Sequence, residues 1–172
     1  AGSGCIGLAL ASQVSRVRVV LGEYSDAALK ICRQNIRRNG LSARVVPVQA
    51  DARERPGRTL GEFQCIISNP PYIPTAVIAT LEPEVREHEP MMALDGTGDG
   101  LKFYRRIAKE AGAWLKPGGA VYLEIGYDQG KAVSELLSEA GFDKVRVVKD
   151  LPGKDRVVCG IWPGLTDTEN QS

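Results

Sequence analysis

The sequence lacks the features by which several large classes of protein are recognised. Its 22 basic and 21 acidic side chains leave a net charge of +1, so no overall basic field attracts nucleic acid, and direct nucleic-acid binding is not expected. No apolar run approaches the length of a transmembrane helix, and there is no signal peptide, so no membrane association is expected. A cytoplasmic location is predicted, with an organelle matrix as the alternative.

Metal ligands are also scarce. The chain has one histidine, and its four cysteines, Cys5, Cys32, Cys65 and Cys159, are far apart and form no Cys-x-x-Cys pair. One histidine cannot complete a zinc site with cysteines spaced in this way, so no metal site is predicted. The cysteines are expected to be buried free thiols in a reducing compartment.

Apolar runs and amphipathic stretches alternate along the chain, which is typical of a doubly wound α/β protein. The runs predict strands at 17–21, 44–48, 63–68, 120–125, 145–148 and 157–162, and the amphipathic stretches predict helices at 5–11, 26–39, 99–115 and 129–140. Ser25 is expected to cap the helix at 26–39 and Gly40 to end it, with Ala28, Ile31, Cys32 and Ile36 on its buried face. The last two strands predict an antiparallel hairpin that closes a mostly parallel sheet. The predicted fold class is therefore α/β, with helices on both faces of the sheet.

Three segments fall outside this alternation. The chain opens at Ala1-Gly2-Ser3-Gly4, and a glycine-rich turn needs a strand to turn from, so the sheet is expected to lack its first strand. Residues 73–98 have no clear period and are predicted to form a lid with one short helix near 78–81. Residues 1–165 are predicted to form one domain, followed by a polar tail at 166–172.

The strand that begins at Phe63 ends at a stiff loop, Asn69-Pro70-Pro71-Tyr72. Proline has no backbone N–H and a fixed φ, so the strand pairing must end there, and the residue before it is extended. Ligands of open α/β sheets bind at the carboxyl ends of strands, where this loop presents an amide side chain, free carbonyls and an aromatic ring. The four residues resemble the signature loop of methyltransferases that act on planar nitrogens, and a plain proline turn is the alternative.

Other strand ends carry residues suited to a nucleoside. Gly2-Ser3-Gly4 allows close approach of a ligand to the backbone, ahead of a helix with free N–H groups. Glu23 ends the next strand, where an acid accepts ribose hydroxyls in dinucleotide folds, and Asp51 is placed to accept from an adenine amino group. Each has a plainer explanation, as a common glycine turn, a solvated acid and a turn residue. Their joint spacing favours a cofactor site.

The chain resembles the catalytic domain of the HemK/PrmC family, the release factor glutamine N5-methyltransferases. The Asn-Pro-Pro-Tyr loop alone also fits DNA adenine methyltransferases, and the segments after residue 80 point to the glutamine enzymes. The family's first strand and amino-terminal helical domain are expected to be missing. The resemblance covers essentially the whole chain and is carried by residues 2–6, 69–73, 81–85, 89–94, 99–105, 115–119, 123–130 and 150–158.

The resemblance implies a class I, Rossmann-like methyltransferase that uses S-adenosylmethionine to methylate the glutamine of the Gly-Gly-Gln motif in a peptide-chain release factor. The alternatives are methylation of another translation protein such as a ribosomal protein, adenine-N6 methylation of nucleic acid, and a non-catalytic binding role. The implied cofactor-binding residues are Gly2, Ser3, Gly4, Cys5, Glu23, Tyr24, Asp51, Ala52 and Asn69. The implied catalytic residues are Asn69, Pro70 and Tyr72, and the implied substrate-binding residues are Asn69, Pro70, Pro71, Tyr72, Glu89 and Pro90.

Overall fold

The computed structural model describes residues 1–51, 61–88 and 90–164. The chain divides into two compact units, Ala1–Gly57 and Arg58–Ser172, which are described one after the other. Within the described ranges, no helix is both long and apolar enough to cross a membrane. The predicted single domain at 1–165 and the missing first strand stay predictions, and the predicted tail at 166–172 lies outside the described residues.

The described part of the first unit, residues 1–51, contains a two-stranded parallel sheet and two helices. Its elements are α1 at Cys5–Gln13, β1 at Val19–Glu23, α2 at Asp26–Arg38 and β2 at Val45–Gln49. The strands pair with Val19 opposite Val45 and Glu23 opposite Gln49. Because they are parallel and in register, β1 and β2 end at the same edge of the sheet.

Helix α2 is bounded by the residues that the sequence predicts. The Ser25 hydroxyl accepts a hydrogen bond from the Ala28 N–H at 3.4 Å, which caps the amino end of the helix. At the other end Gly40 takes the left-handed conformation, with φ at 67°, which a glycine adopts without a steric penalty. The predicted cap and stop are therefore confirmed.

The buried face of α2 differs from the predicted one, which contained Ala28, Ile31, Cys32 and Ile36. The structure buries Leu29, Cys32 and Ile36, whereas Ile31 is 50% exposed. Each residue turns a helix by about 100°, so Ile31 lies about 100° from Cys32, while Leu29 and Ile36 fall on one side of it within about 60°. The core of this unit consists of Leu8, Ala11, Leu21, Cys32, Ile36, Leu41 and Val45.

The second unit is built on a four-stranded mixed sheet in the order β3-β6-β8-β7. Its strands are β3 at Phe63–Ser68, β4 at Ile73–Pro74, β5 at Asp95–Thr97, β6 at Leu115–Glu124, β7 at Asp143–Lys149 and β8 at Asp155–Ile161. Its helices are α3 at Thr75–Ile78, α4 at Pro83–His88, α5 at Met91–Leu94, α6 at Lys102–Ala111 and α7 at Gly130–Glu139. β3 and β6 are parallel, and β8 runs antiparallel to β6 and β7, which confirms the predicted closing hairpin.

Helices α6 and α7 cover one face of this sheet and form its hydrophobic core. Tyr104, Val121, Leu123, Val133 and Leu137 are completely buried there, and burying each large apolar side chain contributes about 1.5–3 kcal/mol. The Tyr104 hydroxyl keeps a partner in this core, because it donates to the Glu124 carbonyl at 2.7 Å. Burial raises the pKa of this phenol, so it remains a donor.

The segment predicted as a lid has more secondary structure than expected. Within residues 73–98 the structure forms β4, β5 and the three short helices α3, α4 and α5, and the helix expected near 78–81 lies at Thr75–Ile78. β4 and β5 pair in parallel, with Ile73 opposite Asp95 and Pro74 opposite Thr97. Elements of two to six residues are too short to show a sequence period, so the prediction missed them.

The predicted boundary between α6 and β6 is also corrected. Leu115 was expected to be helical, but α6 ends at Ala111 and Leu115 pairs with Phe63 as the first residue of β6. The Phe63 N–H donates to the Trp114 carbonyl at 2.7 Å, so the chain already lies in the sheet before residue 115. Residues 116–119 form an irregularity, since the next residue of β6 in register, Ala120, pairs with Cys65.

The cysteines are only partly as predicted. Cys32 and Cys159 are buried free thiols, but Cys5 and Cys65 are exposed. Side chains alternate along a strand, and the neighbouring Ile66 is the one that packs against the core, so Cys65 points to the opposite face. Among the described residues, no group of three or more His, Cys, Asp or Glu side chains could hold a metal ion.

Candidate functional site

The loop Asn69–Tyr72 follows directly from the end of β3. The pairing of β3 with β6 continues to Ser68, opposite Leu123, and stops where the prolines begin. Asn69 is exposed, Pro70 is buried, and Pro71 and Tyr72 are half-buried. The loop therefore presents the Asn69 amide outward on a backbone that has no N–H at two successive positions.

Two glycines lie against the back of this loop. A Cβ atom at Gly96 would stand 2.7 Å from the Tyr72 Cα, and a Cβ atom at Gly100 would overlap the Tyr72 carbonyl oxygen. Gly100 also has a φ of 74°, which favours glycine. The backbone of Tyr72 is thus packed against the two glycines at a distance that a larger residue does not allow.

A buried glutamine reaches the same point from another element. The Gln129 Nε2 donates to the Tyr72 carbonyl at 3.1 Å, and the Gln129 Oε1 accepts from the Gly126 N–H at 2.9 Å. Gln129 is 8% exposed and is the N-cap residue of α7. Both ends of its amide are therefore hydrogen-bonded within the protein, as a buried polar group requires.

The Tyr72 side chain lies among charged groups of the sheet. Burial raises the pKa of its phenol, the charge of Glu124 raises it further, and Arg156 acts in the opposite direction. Arg156 is itself held by Asp150, whose carboxylate accepts from its Nη2 at 3.2 Å. The Tyr72 phenol therefore stays protonated at neutral pH and is available as a neutral aromatic surface.

In the first unit, the predicted glycine turn and Glu23 lie together. The Glu23 carboxylate accepts from the N–H groups of Gly2 at 2.6 Å and Ser25 at 2.7 Å. Gly2 has a φ of 56° and no atom within 4 Å of where its Cβ would be, so the turn leaves space beside the carboxylate.

Asp51 lies close to Glu23 along the same sheet edge. The Ala50 N–H donates to the Glu23 carbonyl at 3.0 Å, and Asp51 is the next residue along the chain. The first unit thus brings together the turn at 2–4, Glu23 and Asp51.

The remaining predicted residues are placed as follows. The Ser3 carbonyl accepts from Asn35 at 3.0 Å, Cys5 is exposed at the start of α1, and Tyr24 is 51% exposed. Pro90 is exposed at the N-cap of α5. Ala52 and Glu89 lie outside the described residues.

Comparison with known proteins gives consistent matches. The model of the methyltransferase small domain family matches residues 1–81. A release factor glutamine methyltransferase from Caulobacter vibrioides is 46% identical over 160 residues, which is 93% of this chain and 55% of that protein. The corresponding protein from Geobacter sulfurreducens is 45% identical over 159 residues, 92% of this chain and 55% of that protein.

The chain is a homologue of the release factor glutamine methyltransferases. It spans about half the length of the curated relatives that it matches. The resemblance to the HemK/PrmC family that the sequence motifs predicted is confirmed.

Solved methyltransferases share the fold. A methyltransferase from Pyrococcus furiosus superposes with a TM-score of 0.66 at 22% identity, over 95% of this chain and 72% of that chain. TrmN from Thermus thermophilus superposes with a TM-score of 0.60 at 24% identity, over 94% of this chain and 41% of that chain. These likenesses confirm the predicted class I methyltransferase fold.

The acceptor groups of the first unit fit the nucleoside part of S-adenosylmethionine, the cofactor that the family resemblance implies. A carboxylate with two oxygens offers about four acceptor positions, two of which the Gly2 and Ser25 N–H groups take at Glu23, and a glycine turn with open space beside it admits a ligand close to the backbone. Glu23 and Asp51 supply two such carboxylates on one edge. Acceptors of this kind suit ribose hydroxyls and an adenine amino group.

Sequence reasoning missed three residues that shape the loop in the second unit, namely Gly96, Gly100 and Gln129. Each falls in a segment that carries the family resemblance or borders one, but no role followed from that. Their only local signals are three glycines within five residues and a polar residue at the start of a helix. Their contacts with Tyr72 come from the fold.

Proposed function

We propose that this chain transfers a methyl group from S-adenosylmethionine to the side-chain amide nitrogen of a protein glutamine, that of the Gly-Gly-Gln motif in a peptide-chain release factor. The observation that carries the proposal is the Asn69–Tyr72 loop, fixed at the end of β3 in a homologue of the release factor glutamine methyltransferases. Such a substrate would be met where translation ends, in the cytoplasm or an organelle matrix.

The chemistry explains why such a loop is needed. The lone pair of an amide nitrogen is delocalised, so this nitrogen is a poor nucleophile, and its orientation supplies a large part of the catalysis. The Asn69 side-chain oxygen and the Pro70 carbonyl are proposed to accept the two N–H groups of the substrate amide. Acceptors at this place also stabilise the positive charge that develops on the nitrogen.

The loop is suited to that task by what it lacks. With no N–H at Pro70 or Pro71, its backbone offers acceptors without competing donors. Asn69 is exposed, so its side chain is accessible to a substrate. Tyr72, as a neutral half-buried ring, is proposed to pack against the planar amide.

Residues of the first unit are proposed to hold the cofactor, namely Gly2, Ser3, Gly4, Cys5, Glu23, Tyr24 and Asp51. When bound, S-adenosylmethionine supplies an electrophilic methyl group on a sulfonium sulfur. A bond forms between that methyl carbon and the amide nitrogen, the carbon–sulfur bond breaks, and one amide proton is released to water. No side chain has to remove this proton before transfer.

The substrate is tested with cofactor labelled on its methyl group. We expect label on the release factor at the Gly-Gly-Gln glutamine, located by mass spectrometry, and none on a release factor in which alanine replaces this glutamine. Label on a ribosomal protein or on adenine would instead support one of the alternative methyltransferase functions. Calorimetric binding of the cofactor without label on any substrate would support a non-catalytic role.

A further inference from the structure

We infer that Gln129 is a positioning residue that fixes the Asn69–Tyr72 loop through the Tyr72 carbonyl. Its effect on methyl transfer rests on the proposed function of that loop, whereas its effect on loop order does not. The geometry is a hydrogen-bonded bridge from Gly126, just after β6, through the Gln129 amide to Tyr72, just after β3.

The loop needs support from outside itself. Pro70 and Pro71 donate no backbone hydrogen bonds, so this stretch cannot be stabilised as a regular turn or strand by its own N–H groups. On its amino side the pairing of β3 with β6 ends at Ser68, and on its carboxyl side the pairing of β4 with β5 begins at Ile73. The Gln129 donor reaches the loop between these two anchors.

The orientation of the Gln129 amide is set by its surroundings. Its Oε1 accepts from the Gly126 N–H, so its Nε2 is the atom that faces the Tyr72 carbonyl. A Cβ at Gly100 would stand 2.8 Å from this Nε2, so the backbone at residue 100 closes the third side. Gln129 is only 8% exposed, so water competes poorly for the two ends of its amide, and the amide has little room to turn.

A buried glutamine is costly in a core unless it is fully hydrogen-bonded. An apolar side chain would serve packing alone at the start of α7, whereas Gln129 satisfies a strand-end N–H and holds a loop carbonyl. The residue thus ties together the carboxyl ends of two neighbouring parallel strands. A misplacement of about 1 Å at a reacting group costs up to about a hundredfold in rate, so loss of this tie should appear in kcat.

The test compares Gln129→Leu and Gln129→Glu with Val133→Ala in the full chain. Gln129→Leu removes both hydrogen bonds, and Gln129→Glu keeps the acceptor for Gly126 but sets a carboxylate oxygen against the Tyr72 carbonyl. Val133 is completely buried one turn further along α7 and packs in the hydrophobic core. Val133→Ala is therefore the matched control, because it should reduce stability while leaving the two Gln129 hydrogen bonds in place.

Two readouts separate positioning from stability. We expect both Gln129 variants to speed hydrogen exchange at the Tyr72 and Ile73 amides and to lower kcat by about ten- to a hundredfold, with KM for the substrate and cofactor affinity within about twofold. Val133→Ala should lower the unfolding midpoint by as much as the Gln129 variants do. It should leave hydrogen exchange at the Tyr72 and Ile73 amides, and kcat, nearly unchanged. The inference would be overturned if the Tyr72 and Ile73 amides of Gln129→Leu exchanged hydrogen as slowly as those of the wild type. It would also be overturned if their exchange were faster but kcat were unchanged. A wild-type chain that methylates no substrate would overturn the proposed function, while the exchange experiment still decides whether Gln129 holds the loop.

Discussion

Gly96 lies directly against the backbone of Tyr72, such that a Cβ at residue 96 would stand 2.7 Å from the Tyr72 Cα and 2.8 Å from its carbonyl carbon. Both neighbouring atoms belong to the main chain and cannot turn aside as a flexible side chain would. Gly96 is buried in β5, opposite the strand that leaves the loop. The position of the loop is therefore set partly by the absence of a side chain at residue 96.

Gly96→Ala should displace the loop. Overpacking of this kind costs about 1–3 kcal/mol, and we expect kcat to fall by at least about tenfold because the loop backbone must shift. Gly98→Ala is the matched control, since a Cβ there meets nothing within 4 Å. Urea unfolding and methyl-transfer assays should find Gly98→Ala close to the wild type, and equal effects of the two substitutions would contradict this account.

Asn69→Ala should remove turnover while the fold survives. Asn69 is exposed, so the free energy of unfolding should change by less than about 0.5 kcal/mol. Loss of one oriented acceptor at a developing charge typically lowers kcat by about 10²- to 10³-fold. Gln64→Ala, at an exposed polar residue of β3, the strand that precedes Asn69, is the control.

A calorimetric titration of Asn69→Ala with S-adenosylmethionine decides which role Asn69 has. Cofactor affinity close to that of the wild type would support its role toward the substrate amide. A loss of cofactor binding would show that Asn69 serves the cofactor instead, and the catalytic assignment would be wrong.

The sequence predicts the parts of the fold and site whose causes are local. Two prolines end β3 and define the Asn69–Tyr72 loop, and Ser25 and Gly40 bound α2, because each acts on the backbone within one or two residues of itself. These are backbone constraints that hold in almost any surrounding structure.

The support of the loop could not be predicted, because its causes are not local. Gln129 and Tyr72 are 57 residues apart in the chain, and their hydrogen bond exists only because β3 and β6 are neighbours. Gly96 and Gly98 look alike in the sequence, yet a Cβ is excluded at the first and free at the second. Likewise, β4 and β5 are strands only because they pair with each other.

Glu23→Gln should weaken cofactor binding in the first unit. An amide is uncharged and has one acceptor oxygen in place of two, so the Gly2 and Ser25 N–H groups both lose a charged acceptor and one of them faces an NH2 group instead. Hydrogen bonds to a charged group contribute about 1.5–3 kcal/mol, and we expect S-adenosylmethionine affinity to fall by about tenfold or more. Asp26→Asn, an exposed acid three residues along, is the control, and equal affinities for wild type and Glu23→Gln would contradict a cofactor role.

Asp99 and Arg105 should give stability that depends on pH in a known direction. The Arg105 guanidinium and the Leu101 N–H hydrogen-bond to the Asp99 carboxylate and lower its pKa to about 2, from an ordinary value of 3.8. The unfolded chain therefore takes up this proton first as the pH falls, so the contribution is complete above about 3.8 and is lost between that value and about 2. Chemical unfolding should show a difference in the free energy of unfolding between wild type and Asp99→Asn at pH 7. This difference should be small, because both side chains of the pair are exposed, and it should disappear as the pH falls from about 3.8 to about 2. Arg105→Gln removes the same pair from the other side and should follow Asp99→Asn, whereas a difference from wild type that stays constant down to pH 2 would show that this carboxylate is not held by Arg105.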